Sequence, residues 1–362
     1  MTQLARLSIE HCRILSQVTI DPSPRMNLLV GGNGSGKSAV LEGIHLLSYG
    51  RSFRSRSYKP LIQHQADWIR VVAKVKTVES EVSLGIERER SGKLTMRYNG
   101  DDVARLSEFA THLPTIAITP DSIGLLHEGP KVRRAFMDWG VFYSQQALND
   151  VWQRLNRLLK QRNSALKNKA PYRELASWDQ EYAQLAGQLS YLRSQYIQKL
   201  LEYAQPLLTQ FLGQVVALDV LYYPGWRDDV GLLEQLEQHY ARDLLLGYTT
   251  VGPHKADIKF RCEQGVVQEV LSRGQQKLLV YALKLAQGAY ISEDKGRRAI
   301  YLVDDLPSEL DQQSMRHVWQ ALIASESQVW LTSSSGILLD FPAEVATRQF
   351  SVTQGQVTLV TE

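Results

Sequence analysis

Residues 31–38 read GGNGSGKS, with Gly31, Gly36, Lys37 and Ser38 at the spacing G-x-x-x-x-G-K-[ST]. In such a loop the backbone of Gly31, Gly32, Asn33, Gly34, Ser35 and Gly36 wraps phosphate oxygens, helped by the positive end of the helix that follows. Lys37 is placed to reach the β- and γ-phosphates of ATP, and the Ser38 hydroxyl to ligate Mg²⁺. A second stretch, AIYLVDD at 299–305, is an apolar run ending in two carboxylates. Asp304 is expected to join the Mg²⁺ shell beside the loop, and Asp305 to polarise an attacking water. A third stretch, LSRGQQK at 271–277, puts Ser272, Arg273, Gly274 and Gln275 at the start of a predicted helix. Hydroxyl and amides there make a second phosphate-binding surface, although a serine–glycine turn before a helix is often only a cap.

These residues need a scaffold. MNLLV at 26–30 predicts a strand feeding the loop. The helix after the loop carries Val40, Leu41, Ile44 and Leu47 on one face, and Gly50 suits its C-terminal end. Residues 4–20 predict one or two strands. From Trp68 to Val103 the alternating pattern, broken at Ser91–Gly92 and Asn99–Gly100, predicts an antiparallel β layer. Residues 131–212 read as helix. Leu175, Trp178, Tyr182, Leu185, Leu189, Leu192 and Tyr196 recur at 3-4 spacing, a heptad seam, and Leu148, Val151, Leu155 and Leu158 follow the same rhythm. The break at Ala170–Pro171 predicts an antiparallel hairpin. Its second arm, Tyr172 to Leu212, is expected to be roughly 60 Å long at 1.5 Å per residue. After YYPGWRDD the pattern returns to α/β, with a strand near DIKFRCE, a helix over about 275–290, the strand AIYLV, a helix near 311–325 and the strand QVWLT. A nucleotide domain in two pieces, with the hairpin inserted between them, is the organisation this order implies.

Apolar residues at 44% and charged residues at 22% are those of a globular protein. Cys12 and Cys262 are far apart and fit no metal spacing, so they read as reduced thiols of the cytosol. The N-terminus lacks a signal-peptide core, and no stretch approaches the ~18 apolar residues of a membrane span. No membrane partner is therefore expected. The net charge is only +3, yet residues 131–173 hold ten Lys and Arg against two Asp, so the rest of the chain is acidic on balance. Arg133, Arg134, Arg154, Arg157, Lys160 and Arg162 are thus candidates to touch the phosphates of double-stranded DNA. Arg51, Arg54, Arg56 and Lys59 form a second basic cluster. The bland alternative for both is a solvated face.

The order of the three stretches resembles the ABC-type ATPases: Walker A at 31–38, signature motif at 271–277, Walker B at 299–305 and a D-loop, SELD, at 308–311. In that family the signature serine and glycine bind the γ-phosphate of ATP held by the other subunit. GPKVRRAFMDW (129–139), GYTTVGPHKADI (247–258) and VDDLPSELD (303–311) narrow the resemblance to the RecF family, ABC-type heads related to SMC proteins. The likeness runs over almost the whole chain. It implies an α/β fold: an ABC-type phosphate-loop head of mixed sheet plus antiparallel β layer, with an inserted helical hairpin. Lobe I would span 1–128, the insert 129–214 and lobe II 215–362. The resemblance also implies a weak, DNA-stimulated ATPase that dimerises on ATP and binds duplex and gapped DNA. It implies work with RecO and RecR to load recombinase at single-stranded gaps, with roles in replication maintenance and the SOS response. A cytoplasmic location, at the nucleoid when DNA is bound, goes with these roles. Two departures stand out: Asp305 where ABC ATPases often carry glutamate, and Thr332 and Ser333 where they often carry a switch histidine. No glutamine loop is evident near ITPDS (118–122), and His254 stands within GYTTVGPHKADI without a motif that gives it a chemical role. The alternative is an ABC-type subunit of another machine, a transporter or an SMC-like scaffold. A phosphate-loop kinase would leave LSRGQQK without use.

Overall fold

Alternating apolar residues make the first sheet. In the computed structural model, which describes residues 2–55, 57–77, 80–144, 148–214, 216–293, 297–306, 310–334 and 342–361, β1 (Gln3–Cys12) and β2 (Leu15–Ile20) form a hairpin. His11 and Arg13 turn it with φ of 56° each. β4 (Trp68–Lys76), β5 (Glu81–Glu89), β6 (Leu94–Tyr98) and β7 (Asp101–Asp102) extend it into a six-stranded antiparallel sheet, ordered β2-β1-β4-β5-β6-β7. Leu7, Ile9, Val71, Ala73, Val75, Leu84 and Ile86 alternate onto one face and bury with Val40, Leu41, Ile44 and Leu47 of the helix Lys37–Tyr49.

The second sheet is built differently. β3 (Met26–Val30), β8 (Thr115–Ile118), β12 (Ile300–Val303), β13 (Val329–Ser333) and β14 (Thr347–Thr353) run parallel, and β15 (Gln356–Thr361) returns antiparallel, in the order β15-β14-β3-β13-β12-β8. Parallel strands covered on both faces read as continuous apolar runs, and all four residues of β12, IYLV, are buried. Register pairs Leu29 with Thr332 and Leu331 with Val303. The C-terminal ends of β3, β13 and β12 therefore lie side by side.

Both sheets belong to one compact unit, Met1–Ile123 with Gln210–Gly213 and Lys277–Glu362. The other unit comprises Gly124–Thr209 and Gln214–Gln276. It holds the helices Pro130–Ser144, Leu148–Lys167 and most of Tyr172–Leu212, with a three-stranded sheet of β11 (Gly265–Val266), β10 (Asp257–Cys262) and β9 (Asp219–Tyr223). The hairpin predicted at Ala170–Pro171 is present, turned by Lys169 at φ 56°. Along its second arm Leu175, Tyr182, Leu185, Leu189 and Tyr196 are buried, while Trp178 and Leu192 are half-buried. The helix expected over about 275–290 runs from Arg273 to Glu293.

Candidate functional site

β3 ends directly in the glycine loop, and the loop's shape follows from what surrounds it. The Gly31 amide donates to Ser333 O at the end of β13 (3.2 Å). A Cβ at Gly31 would lie 2.1 Å from Val352 O, so only glycine fits. Gly36 is at φ 115°, a left-handed value that favours glycine, and hands the chain to the helix Lys37–Tyr49. From the C-terminal hairpin, the Gly355 amide donates to Ser35 O (2.9 Å) and braces the loop. Gly32, Asn33 and Gly34 form its exposed crest. Lys37 folds back over the loop, and its Nζ donates to Gly31 O (2.7 Å) and Gly32 O (2.9 Å). Burial lowers its pKa, against the pull of Asp305 and Asp304.

The Walker B carboxylate meets the loop at this corner. Asp304 Oδ1 accepts two hydroxyl bonds, from Ser38 Oγ (2.8 Å) and from Thr332 Oγ1 (2.8 Å). Thr332 Oγ1 in turn accepts from the Asp305 amide (2.9 Å). Thr332 is fully buried, and Asp305 sits at φ 54°, a left-handed conformation that aspartate tolerates better than most residues. Thr332, noted in the sequence only as standing where a histidine was expected, thus joins both carboxylate residues. Ser38 and Asp304 present hard oxygen donors at hydrogen-bond distance from each other. That pair suits Mg²⁺, which usually takes one or two protein oxygens plus phosphate and water. Among the described residues there is no cluster of three or more His, Cys, Asp or Glu that would hold a metal by itself.

A cavity of about 450 Å³ opens beside the loop, lined among others by Arg13, Ser35, Lys37, Ser38, Glu42 and Arg54. That volume is within the usual range for a small-molecule site. Arg13 and Glu42 escaped the sequence reading. Arg13 grips Glu42 in bidentate fashion, Nε to Oε2 at 3.0 Å and Nη2 to Oε1 at 2.9 Å, and Ser52 donates to the same carboxylate. A signal existed: Glu42 interrupts the apolar stretch of the loop helix, and a buried carboxylate demands a cation.

Residues 271–276 of the signature stretch lie in the second unit. Gln275 N donates to Ser272 Oγ (3.3 Å), and Ser272 N donates to Gln275 Oε1 (2.9 Å), a reciprocal capping box that fixes the helix start. Ser272, Arg273 and Gly274 are exposed. Of the D-loop, Ser308 and Glu309 lie outside the described residues, and Asp311 caps the helix Gln312–Ala324 through Gln313 N and Ser314 N.

The basic segment divides. Arg162 is 1% exposed, and its guanidinium donates to Asp179 (2.8 Å), Asp243 (2.7 Å) and Thr249 (2.9 Å). It cannot touch a DNA backbone, and its place among the DNA candidates is corrected. Arg133 is likewise turned inward, bidentate on Asp257 at 2.8 and 3.0 Å, and Arg134 donates to Ala256 O (2.7 Å). Arg154, Arg157 and Lys160 remain exposed on the helix Leu148–Lys167, with Arg154 paired to Glu181 (2.6 Å). Arg51 and Arg54 are exposed in the other unit, whereas Arg56 is outside the described residues. His254 is a structural histidine. Its Nε2–H donates to Thr249 O (3.0 Å), Nδ1 accepts from Tyr182 Oη (3.1 Å), and burial lowers its pKa to about 4.

A strand, glycine loop and helix, with a Walker B carboxylate two strands away in a parallel sheet, define an ABC-type ATPase head. The model of the RecF/RecN/SMC N terminal domain matches residues 3–356. The chain belongs to the RecF family. The DNA replication and repair protein RecF of Shewanella denitrificans is 40% identical over 358 residues, covering 99% of each chain. The protein so named in Shewanella halifaxensis is 41% identical over 358 residues, covering 99% of this chain and 98% of its own. Among solved structures, RecF bound to ATP, described as a recombination mediator in the RecFOR pathway, has a TM-score of 0.89 at 24% identity over 99% of this chain and 98% of that one. An SMC head bound to the C-winged helix domain of ScpA has a TM-score of 0.60 at 15% identity, over 99% and 96% of the two chains. These two likenesses carry the fold.

Proposed function

We propose that this chain is an ATP-gated DNA-binding protein of recombinational repair and a weak, DNA-stimulated ATPase. ATP lies across the glycine loop, and Lys37 exchanges its two loop carbonyls for the β- and γ-phosphates. Ser38 and Asp304 hold Mg²⁺, which when bound neutralises phosphate charge. Asp305 orients and polarises the attacking water, while Thr332 ties both aspartates to the end of β13. A hydroxyl at that place offers hydrogen bonding without the charge of an imidazolium, in keeping with slow turnover. A second copy of the chain contributes Ser272, Arg273, Gly274 and Gln275 to the same nucleotide, so ATP closes a homodimer and hydrolysis opens it. Duplex and gapped DNA contact Arg154, Arg157 and Lys160, and Arg51 and Arg54. With RecO and RecR the closed dimer helps load recombinase at single-stranded gaps in the cytoplasm, serving replication maintenance and the SOS response. Lobe I at 1–128, a helical insert at 129–214 and lobe II at 215–362 belong to the same reading.

The observation that carries it is the corner where Asp304 Oδ1 receives both the Ser38 and the Thr332 hydroxyl. The test is mass in solution by light scattering, with and without ATP and duplex DNA. Dimer is expected only with ATP. Ser272→Arg is expected to leave ATP affinity within about threefold and to abolish the ATP-driven dimer. A Ser272→Arg protein that still dimerises with ATP removes the trans site.

A further inference from the structure

The signature turn is held by a ring of side-chain bonds that fixes the proton on one histidine. Gln276, 3% exposed, donates its amide Nε2 to Leu271 O (2.7 Å) and Gln268 O (3.1 Å). Both amide protons are thereby committed, and flipping the amide would set its oxygen against two carbonyls. Gln276 Oε1 must therefore accept, and it faces His127 Nε2 at 2.7 Å. His127 accordingly carries its proton on Nε2. Gln268 Nε2 closes the ring by donating to Leu126 O (2.8 Å). Arg273 Nη1 also approaches His127 Nε2, at 3.1 Å. A nitrogen that already donates to Gln276 has no lone pair in the ring plane for Arg273, so that approach joins two donors. Arg273 is exposed and has no carboxylate partner among the described residues.

We propose that His127 is a positioning residue of the signature turn: by occupying Gln276 Oε1 it denies Arg273 that internal acceptor, keeping the guanidinium for the γ-phosphate of ATP carried by a second copy of the chain. This rests on the sandwich reading above. An arginine held beside a phosphate without a competing acceptor loses no bond when the nucleotide arrives, and its planar fork suits phosphate oxygens.

The test is the dependence of ATP turnover on protein concentration, with nucleotide affinity measured separately. His127 is exposed, so substitution there should leave folding intact. His127→Ala is expected to raise the half-maximal protein concentration about tenfold, with ATP affinity unchanged within about twofold. His127→Gln keeps an N–H donor and is expected to restore dimerisation to within about threefold of the starting protein. In an Arg273→Ala background, His127→Ala is expected to add less than about twofold, because both changes act through one group. Unaltered dimerisation in His127→Ala, or a full tenfold effect in the Arg273→Ala background, overturns the assignment. A starting protein whose turnover ignores its own concentration overturns the sandwich itself and this role with it, so the two failures are told apart.

Discussion

The corner of the glycine loop and the core of the helical unit hold their charged residues by different kinds of partner. At the loop, Lys37, Ser38 and Asp304 are held by hydroxyls and backbone carbonyls, partners that a phosphate or a cation can replace. In the helical unit three arginines are matched to carboxylates inside the fold: Arg133 to Asp257, Arg162 to Asp179 and Asp243, Arg193 to Asp138. A basic stretch of sequence can therefore be internal mortar, and what separates a scaffold charge from a binding one is whether its partner is a fixed carboxylate or an exchangeable hydroxyl or carbonyl.

Arg162→Ala gives the largest test of that contrast. It leaves two buried carboxylates without their cation, and a loss of about 3–5 kcal/mol in urea unfolding is expected. A wild-type unfolding midpoint would erase the distinction between the units. Lys37→Met should do the reverse: ATP affinity falls about 100-fold, or roughly 2.7 kcal/mol, in a nucleotide titration, with little change in thermal midpoint. Thr332→Val is predicted to slow single-turnover hydrolysis about tenfold while sparing ATP affinity. A full rate in that variant would return Thr332 to a plain core position. The smallest effect concerns the exposed cations. Replacing Arg157 and Lys160 by Gln should flatten the slope of log affinity for duplex DNA against log salt by roughly 2. An undiminished slope places the DNA on another face.

How much of this was legible in the sequence depends on how local the cause was. The glycine loop was readable because its motif is complete within eight residues, although the atom that excludes a Cβ at Gly31 comes from distant Val352, and the β12 run because a strand buried on both faces has no polar alternation. The heptad seam likewise gave the hairpin and its proline break. The fates of the arginines were not readable. Arg133 finds Asp257 across 124 positions and Arg162 finds Asp243 across 81, separations at which composition carries no pairing information. The turn between β1 and β2 was also hidden, because His11 and Arg13 take positive φ where no glycine marks it. Thr332 was visible as a residue, but its double bond to the Asp304 corner depends on β13 lying between β3 and β12.

That strand order sets a timetable for synthesis. β3 emerges from the ribosome long before both its neighbours, β13 and β14, and long before the Gly355 amide that braces Ser35. Until β13 and β14 have been made, β3 has no strand to pair with. A half-made polypeptide thus lacks the Thr332 hydroxyl and the Gly355 amide that complete the loop corner.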